Sequence, residues 1–488
     1  MIFYHIIPLL YSNRPYESIP LPVMKRRIVE NVRIIDTADK GYCIGKDAEG
    51  HVYMVEDTVP GDVADITVFK KRKGMMYGSP SRMHTYSPYR SQPFCEHFSV
   101  CGGCKWQHMS YEGQLTFKAK TVENALSRLA KVQPQEMRSI LGSPEQVFYR
   151  NKMEYAFSSK RWLTRDELEQ DTPVDVREGL GLHRPGAFDK VVDINFCHLQ
   201  DDYSNTIRNG VREFALNHGY SFFDPRSQKG LLRNLMIRNT TLDQWMVVVV
   251  FAHQDEEKIK KMMTWLEASF DKLTSIQYIV NTKKNDSIFD QEVVRFSGQD
   301  HIVEQLGSVK YRISAKSFFQ TNSVQARRLY DIVSELAGLS GSENVYDLYT
   351  GTGSIALYLA QTARKVIGIE EVETAVEDAR VNMAMNDIEN TVFYVGDVKD
   401  ILTMDFAEEH GKPDVVVTDP PRAGMHEKVV EVLRALKAPT VVYVSCNPAT
   451  QARDLGLLKD LYDVAVVQPV DMFPHTHHIE SVVKLVLK

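Results

Sequence analysis

The chain has 488 residues, a net charge of −6, 43% hydrophobic and 25% charged residues. This is the composition of a globular protein of roughly two to four domains. It excludes a secreted disulfide scaffold, because six cysteines are too few for so long a chain, and a membrane helix, because no apolar run approaches the about 20 residues needed. The cysteines therefore point to metal or catalytic work in a reducing cytoplasm. The acidic balance argues against indiscriminate binding of nucleic acid and leaves room for a local basic face.

Met1 to Tyr11 is apolar but lacks a basic flank and a small-residue cleavage site, so it reads only weakly as a signal peptide. Met24, followed by Lys25-Arg26-Arg27, reads as the true start, with residues 1–23 an upstream extension. Residues 24–85 predict short strands at Arg27 to Ile35, Gly41 to Gly45, His51 to Val55 and Asp62 to Lys70, with a turn at Pro60-Gly61-Asp62. Such spacing predicts a small OB-like β-barrel. Met24 to Arg90 holds twelve Lys and Arg against nine Asp and Glu, densest at Lys70-Lys71-Arg72-Lys73. A basic run by itself is usually a solvated face.

Residues 86–322 predict a mixed α+β central domain. It opens with three cysteines, Cys95, Cys101 and Cys104, with a fourth, Cys197, far downstream. Structural zinc more often uses two close pairs, so this three-plus-one spacing favours an iron–sulfur cluster over zinc. A helix is predicted over Tyr111 to Leu129, strands over Lys152 to Ser158 and Trp245 to Phe251, and a polar loop over Lys160 to Glu178. Cys43 has no partner in sequence and reads as a small residue of the barrel core.

Residues 323–488 alternate helix and strand. Helices are predicted at Ser323 to Leu336, Ser354 to Gln361, Glu373 to Met385 and Glu427 to Leu436. Strands are predicted at Asn344 to Leu348, Lys365 to Ile369, Thr391 to Val395, Asp414 to Thr418 and Thr440 to Val444. This is the pattern of a doubly wound parallel sheet. After the first strand comes Tyr349-Thr350-Gly351-Thr352-Gly353-Ser354, where glycines let the backbone approach a ligand. Glu370 ends the second strand, where a carboxylate accepts from ribose hydroxyls. Gly351-x-Gly353-x-x-Ala356 also fits a dinucleotide fingerprint, so NAD(P) and S-adenosylmethionine both remain open at this loop. The fourth strand decides: it delivers Asp419-Pro420-Pro421-Arg422, an acidic residue and Pro-Pro bend bordering a transferable methyl and a substrate base.

Cys446 follows the last predicted strand, at the mouth of the sheet where ligands bind. Carbon 5 of uracil is a poor nucleophile. A thiolate adding to carbon 6 makes the ring an enolate whose carbon 5 can attack a sulfonium methyl. A base must then remove the carbon 5 proton, and donors must meet the developing charge on O4. Cys446 is the candidate thiol, needing local activation from its ordinary pKa of about 8.5. Glu480 is the candidate base, and Gln320 lies in a polar segment just before the sheet. His475, His477 and His478 offer a metal site as an alternative, without a second ligand cluster nearby in sequence.

The motifs Asp419-Pro-Pro-Arg422, Ser445-Cys-Asn-Pro448, Phe318-Phe-Gln320 and Pro474-His-Thr-x-His-x-Glu480 resemble the signatures of the bacterial RNA (uracil-5-)-methyltransferases. The resemblance covers essentially residues 24–488. It implies Cys446 as nucleophile, Glu480 as base, and S-adenosylmethionine contacts by Gln320, Tyr349, Glu370, Asp397 and Asp419 beside the Gly351, Gly353 and Ser354 loop. Ser354 and Asp397 depart from it, each standing where close relatives carry Asn. The iron–sulfur branch has the same three-plus-one cysteines, which implies a 4Fe-4S cluster on Cys95, Cys101, Cys104 and Cys197. The barrel resembles a TRAM domain, an RNA-binding module, and the target uracil would be flipped out to reach Cys446. The expected protein is a cytoplasmic monomer methylating 23S rRNA, with the T-loop uridine of tRNA as the alternative target. RNA cytosine methyltransferases typically carry a cysteine where this chain has Pro420-Pro421, and amino methyltransferases an aromatic where it has Arg422. The contrasting reading is an inactive iron–sulfur RNA-binding regulator, against which intact Cys446, Glu480 and Asp419 argue.

Overall fold

The computed structural model describes residues 27–169 and 176–488. The expected extension and start at Met24 lie outside the described residues, as does part of the Lys160 to Glu178 stretch. The chain divides into two compact units, Met1–Asp36 with Tyr42–Ser87 and Thr37–Gly41 with Pro88–Lys488.

In the first unit five strands close into a barrel: Arg27–Thr37, Cys43–Lys46, Val52–Val55, Val63–Arg72 and Met75–Thr85. Val32, Ile34, Tyr53, Val55 and Ile66 fill it, and Cys43 joins them as expected, donating its thiol to the Thr58 carbonyl at 3.0 Å. The fifth strand was not legible, because Gly78 and Pro80 interrupt its pattern. Both breakers have a place: Pro80 sits at a shift in register, and a Cβ at Gly78 would lie 2.9 Å from the Thr67 carbonyl oxygen.

The second unit holds two large sheets. The central one has seven strands, in the order Val294–Gly298, Leu273–Val280, Trp245–Phe251, Leu232–Asn239, Lys152–Ser158, Gly179–Arg184, Ala187–Asp193. Trp245–Phe251 is buried along its whole length, which its unbroken apolar run required. Within the stretch expected as a polar loop, Thr164 and Glu167 exchange backbone-to-side-chain hydrogen bonds and start a short helix, Arg165–Glu169.

The other sheet has eight strands, in the order Thr391–Val395, Lys365–Glu370, Asn344–Leu348, Val415–Thr418, Thr440–Ser445, Glu480–Leu487, Tyr462–Val470, Glu136–Met137. The first five are parallel, as expected of a doubly wound sheet. Beyond them lie three strands that the sequence reading did not name. Tyr462–Val470 and Glu480–Leu487 are joined by a short loop, which permits only antiparallel pairing. Glu480–Leu487 inserts beside Thr440–Ser445, also antiparallel. The helix Tyr111–Ala125, extended by a π-helical turn at Leu126–Ala130, buries Val122, Ala125 and Leu126 in this sheet's core. No helix among the described residues is long and apolar enough to cross a membrane.

Candidate active site

The loop after Asn344–Leu348 carries three left-handed residues: Tyr349 at φ 64°, Gly351 at 57° and Gly353 at 76°. For Tyr349 this is a costly backbone, of the kind that concentrates at ligand sites. A Cβ on Gly353 would meet the Phe393 ring at 2.9 Å and Ala379 at 3.0 Å, so glycine is required there. At Gly351 a Cβ would meet nothing within 4 Å. The Gly351 N–H instead donates to Glu370 Oε2 at 3.0 Å, while Val372 N–H donates to Oε1 at 2.9 Å. The Glu370 carboxylate is thus held beside the glycine loop by two backbone N–H groups.

Ser354 opens the helix Ser354–Leu359, and its hydroxyl is engaged inward: Tyr330 OH donates to Oγ at 3.0 Å. Asp397 caps Val398–Ile401 by accepting from Lys399 N–H at 3.1 Å, and its carboxyl pairs with the Lys399 ammonium. That hydrogen bond to Lys399 holds the Asp397 carboxyl below its ordinary range. Tyr349 is pushed up to about 12 by burial, with the Asp397 charge adding to it.

At the centre of the sheet Leu348 pairs with Thr418 and Thr418 with Tyr443, so the first two strands end level and Thr440–Ser445 runs on past them. Asp419 extends from one of them, and burial raises its carboxyl to about 7. Beneath the glycine loop Asp347 accepts from Thr350 Oγ1 at 2.6 Å, and burial raises it to about 7, with the Asp419 charge adding. Ser445 pairs with Ser481, so Cys446 and Glu480 stand opposite each other at the mouth of the sheet. Glu480 is 6% exposed, and burial together with the Asp419 charge pushes its carboxyl well above the ordinary range.

The groups around the candidate thiol act on it in opposite directions. Burial, then the Glu480 and Asp419 charges, push Cys446 up to about 11, and the Arg422 guanidinium opposes them with a hydrogen bond. The two loops are bound together: Asn447 Nδ2 and Thr450 Oγ1 donate to the Arg422 carbonyl at 3.0 and 3.2 Å. Gln451, which the sequence did not single out, donates from Nε2 to the Tyr443 and Ser481 carbonyls at 3.0 and 3.1 Å. It clamps the two strands that carry Cys446 and Glu480.

The Gln320 segment is pinned by its backbone, with Asn151 Nδ2 donating to the Gln320 carbonyl at 2.9 Å. Asn322 Nδ2 ties the same segment to the Met472 carbonyl at 3.0 Å. Beside it opens a cavity of about 550 Å³ whose lining includes Arg150, Lys152, Arg238, Phe318 and Thr476. Phe318 is 72% exposed. Arg238 is buried and donates to the Ser317 carbonyl at 2.7 Å. The three cations escaped sequence reading because they are scattered along the chain and only the fold gathers them. The three histidines diverge: the His475 ring faces Gln114, while His478 faces Arg422 and packs 4.2 Å from His477. Among the described residues they form no group of metal-ligating atoms.

None of the six cysteines is in a disulfide. Cys95, Cys101, Cys104 and Cys197 line one narrow cavity with Phe98, Leu182, Ile194 and Leu199. Burial raises Cys101 to about 11 and Cys104 to about 12, and the charges of the neighbouring thiolates add to both. Gly103 N–H points at Cys101 Sγ at 3.4 Å, and Cys197 N–H is held by Asn205 Oδ1 at 2.8 Å.

Comparison with known proteins agrees with this architecture. Residues 231–488 match the family model described as tRNA (Uracil-5-)-methyltransferase. An uncharacterized RNA methyltransferase of Bacteroides thetaiotaomicron is 51% identical over 440 residues, covering 90% of this chain and 97% of the other. One of Porphyromonas gingivalis is 51% identical over 462 residues, covering 93% and 99%. The crystal structure of Pyrococcus abyssi tRNA (uracil-54, C5)-methyltransferase with S-adenosyl-L-homocysteine superposes with a TM-score of 0.72 at 30% identity, covering 93% of this chain and all of that one. The chain therefore belongs to the tRNA (uracil-5-)-methyltransferase family and is an S-adenosylmethionine-dependent RNA methyltransferase.

Proposed function

We propose that the protein methylates carbon 5 of a specific uridine in RNA through a covalent bond between Cys446 and carbon 6 of the base. The observation that carries this is the Ser445–Ser481 register, which sets Cys446 against the buried Glu480 while Asp419 acts on both. The Cys446 thiolate adds to carbon 6, and the ring's electron pair moves toward O4 as an enolate. Carbon 5 takes a methyl group that S-adenosylmethionine would supply, its sulfonium sulfur keeping the bond pair and leaving as the neutral thioether; Glu370, Asp397, Tyr349, Gln320, Asp419 and the Gly351–Gly353 loop with Ser354 would hold that cofactor. Glu480 then accepts the carbon 5 proton, the carbon 5–carbon 6 double bond re-forms, and the carbon 6–sulfur bond breaks to return the thiolate. A carboxylate pushed well above its ordinary range is a stronger base for that proton.

The four clustered thiols fit a 4Fe-4S centre. Among the described residues no three of these sulfurs lie within 4.8 Å of one another, whereas ligands about 2.3 Å from one tetrahedral zinc would sit closer. Thiolates in an apolar shell with an N–H directed at one sulfur suit a larger cluster. Bound there, it supplies covalent cross-linking of residues 95–104 to Cys197. The barrel serves as a TRAM-like RNA-binding module, with exposed Lys70, Lys71 and Arg72 at its hairpin tip available to phosphates.

The substrate implied by the barrel and cluster together is 23S rRNA, and the enzyme would then act in rRNA processing. A second reading, the T-loop uridine of tRNA, is favoured by the target named for the Pyrococcus abyssi structure. Mapping 5-methyluridine by mass spectrometry in rRNA and tRNA of a deletion strain decides between them, since loss from tRNA alone sinks the rRNA assignment. Methylation that survives Cys446→Ala sinks the covalent mechanism.

A further inference from the structure

We propose that Gln114 is a positioning residue for Glu480, and that through it the four-cysteine segment governs the base step without governing the nucleophile. This rests on the roles proposed above for Cys446 and Glu480. Glu480 begins its strand directly after a largely buried loop, Asp471 to Ile479. At the apex of that loop His475 has φ 64°, a left-handed backbone that a non-glycine residue keeps only when its surroundings enforce it.

The enforcing bonds come from the segment that follows Cys104. Gln114 Oε1 accepts from His475 N–H at 2.7 Å, and its Nε2 reaches His475 Nδ1 at 3.2 Å and the Trp106 and Met109 carbonyls at 3.1 and 2.9 Å. The His475 carbonyl accepts from the N–H groups of Lys105 and Trp106 at 2.8 and 3.0 Å. Tyr149 OH donates to the Pro474 carbonyl at 3.0 Å, and Lys118 Nζ to the Phe473 carbonyl at 3.1 Å. Lys105 is covalently next to Cys104, so the apex is two bonds' reach from a proposed cluster ligand. Cys446 has supports of its own, since Ser445 and Asn447 bond each other and Thr450 Oγ1 donates to the Asn447 carbonyl, while Gln451 ties its strand to that of Glu480.

Loosening the apex should therefore spare the addition of thiolate to carbon 6 and impair removal of the carbon 5 proton. The methylated covalent protein–RNA species would then persist. The test uses anaerobically purified full-length protein, S-adenosylmethionine, and total RNA from the deletion strain, with the adduct followed on denaturing gels and the cluster by its visible absorption. Gln114→Met, isosteric but without hydrogen bonds, should keep the absorption and form the adduct at the wild-type rate. It should release RNA about 100-fold more slowly, the effect of misplacing a catalytic group by about 1 Å. Release at the wild-type rate, or equal loss of formation and release, overturns the proposal. Should Gln114→Met lose the cluster, wild-type protein stripped of iron by ferricyanide and EDTA decides instead: accumulated adduct supports the inference, and normal turnover or an absent adduct in the stripped protein refutes it. A wild-type enzyme that forms no adduct at all overturns the covalent mechanism, and this inference with it.

Discussion

Cys446 and Glu480 face each other across two antiparallel strands, one residue beyond the Ser445–Ser481 pair. The separate roles proposed for them follow from their positions. The thiol is half-exposed at a turn, and the carboxyl is buried where its proton affinity is high. Glu480→Gln should form the protein–RNA adduct and fail to resolve it, lowering turnover by about 10²- to 10⁴-fold. Denaturing gels read the adduct and mass spectrometry reads 5-methyluridine; a variant that turns over normally would remove Glu480 from the mechanism.

Arg422 acts to lower the Cys446 thiol, against burial and two carboxylates. The thiolate appears as pH rises, so single-turnover adduct formation should accelerate through the alkaline range toward the thiol's pKa of about 11. Arg422→Ala should move that limb to higher pH and slow adduct formation at pH 8 by about tenfold, equivalent to about one pKa unit. An unchanged pH profile would show that the guanidinium has no hold on the thiol.

Asp347 is 1% exposed and raised to about 7, whereas an unfolded aspartate ionises at about 3.9. The folded chain therefore keeps a proton that the unfolded chain releases, and stability falls as pH rises through that window. Asp347→Asn keeps an acceptor for Thr350 and removes the titration. Its melting temperature should decline less than the wild type's between pH 5 and pH 8, and a steeper decline would contradict the assignment.

Lys118 and Asp471 form an ion pair at 2.6 Å with both side chains fully buried. Lys118→Met strands a carboxylate in the interior and should cost about 3–5 kcal/mol. Lys118→Met combined with Asp471→Leu should recover much of that loss, because no unpaired charge remains. Thermal melts of the single and double variants measure the difference.

Lys152 lines the cavity beside Phe318, with its ammonium 2.5 Å from Glu154. If that face meets a phosphate, Lys152→Ala should weaken binding to unmodified total RNA and reduce the salt slope of log affinity by about one. A slope that does not move places the RNA backbone elsewhere.

The local elements were written in the sequence. Asn344–Leu348, Glu373–Met385, Thr391–Val395 and Glu427–Leu436 occur where their apolar periodicity predicts. The glycine loop was equally legible, since glycine admits the left-handed backbone that Gly351 and Gly353 adopt. The resemblance of the motifs to the family's signatures named Cys446, Glu480 and Asp419 as a set without saying how they meet. That was decided by the antiparallel insertion of Glu480–Leu487 beside Thr440–Ser445, a register no local signal encodes. Gln114 and Lys118 were invisible for the same reason: their partners His475 and Asp471 lie 361 and 353 residues away in the chain. Hydrogen-bond partners so distant are chosen by packing, because a nearest-neighbour pattern carries no information about which buried donor will meet which buried acceptor. The sequence by itself determined the reagents and the loops that present them. The tertiary structure alone decided which side chains lock those loops in place, and which carboxylates and guanidinium act on the thiol.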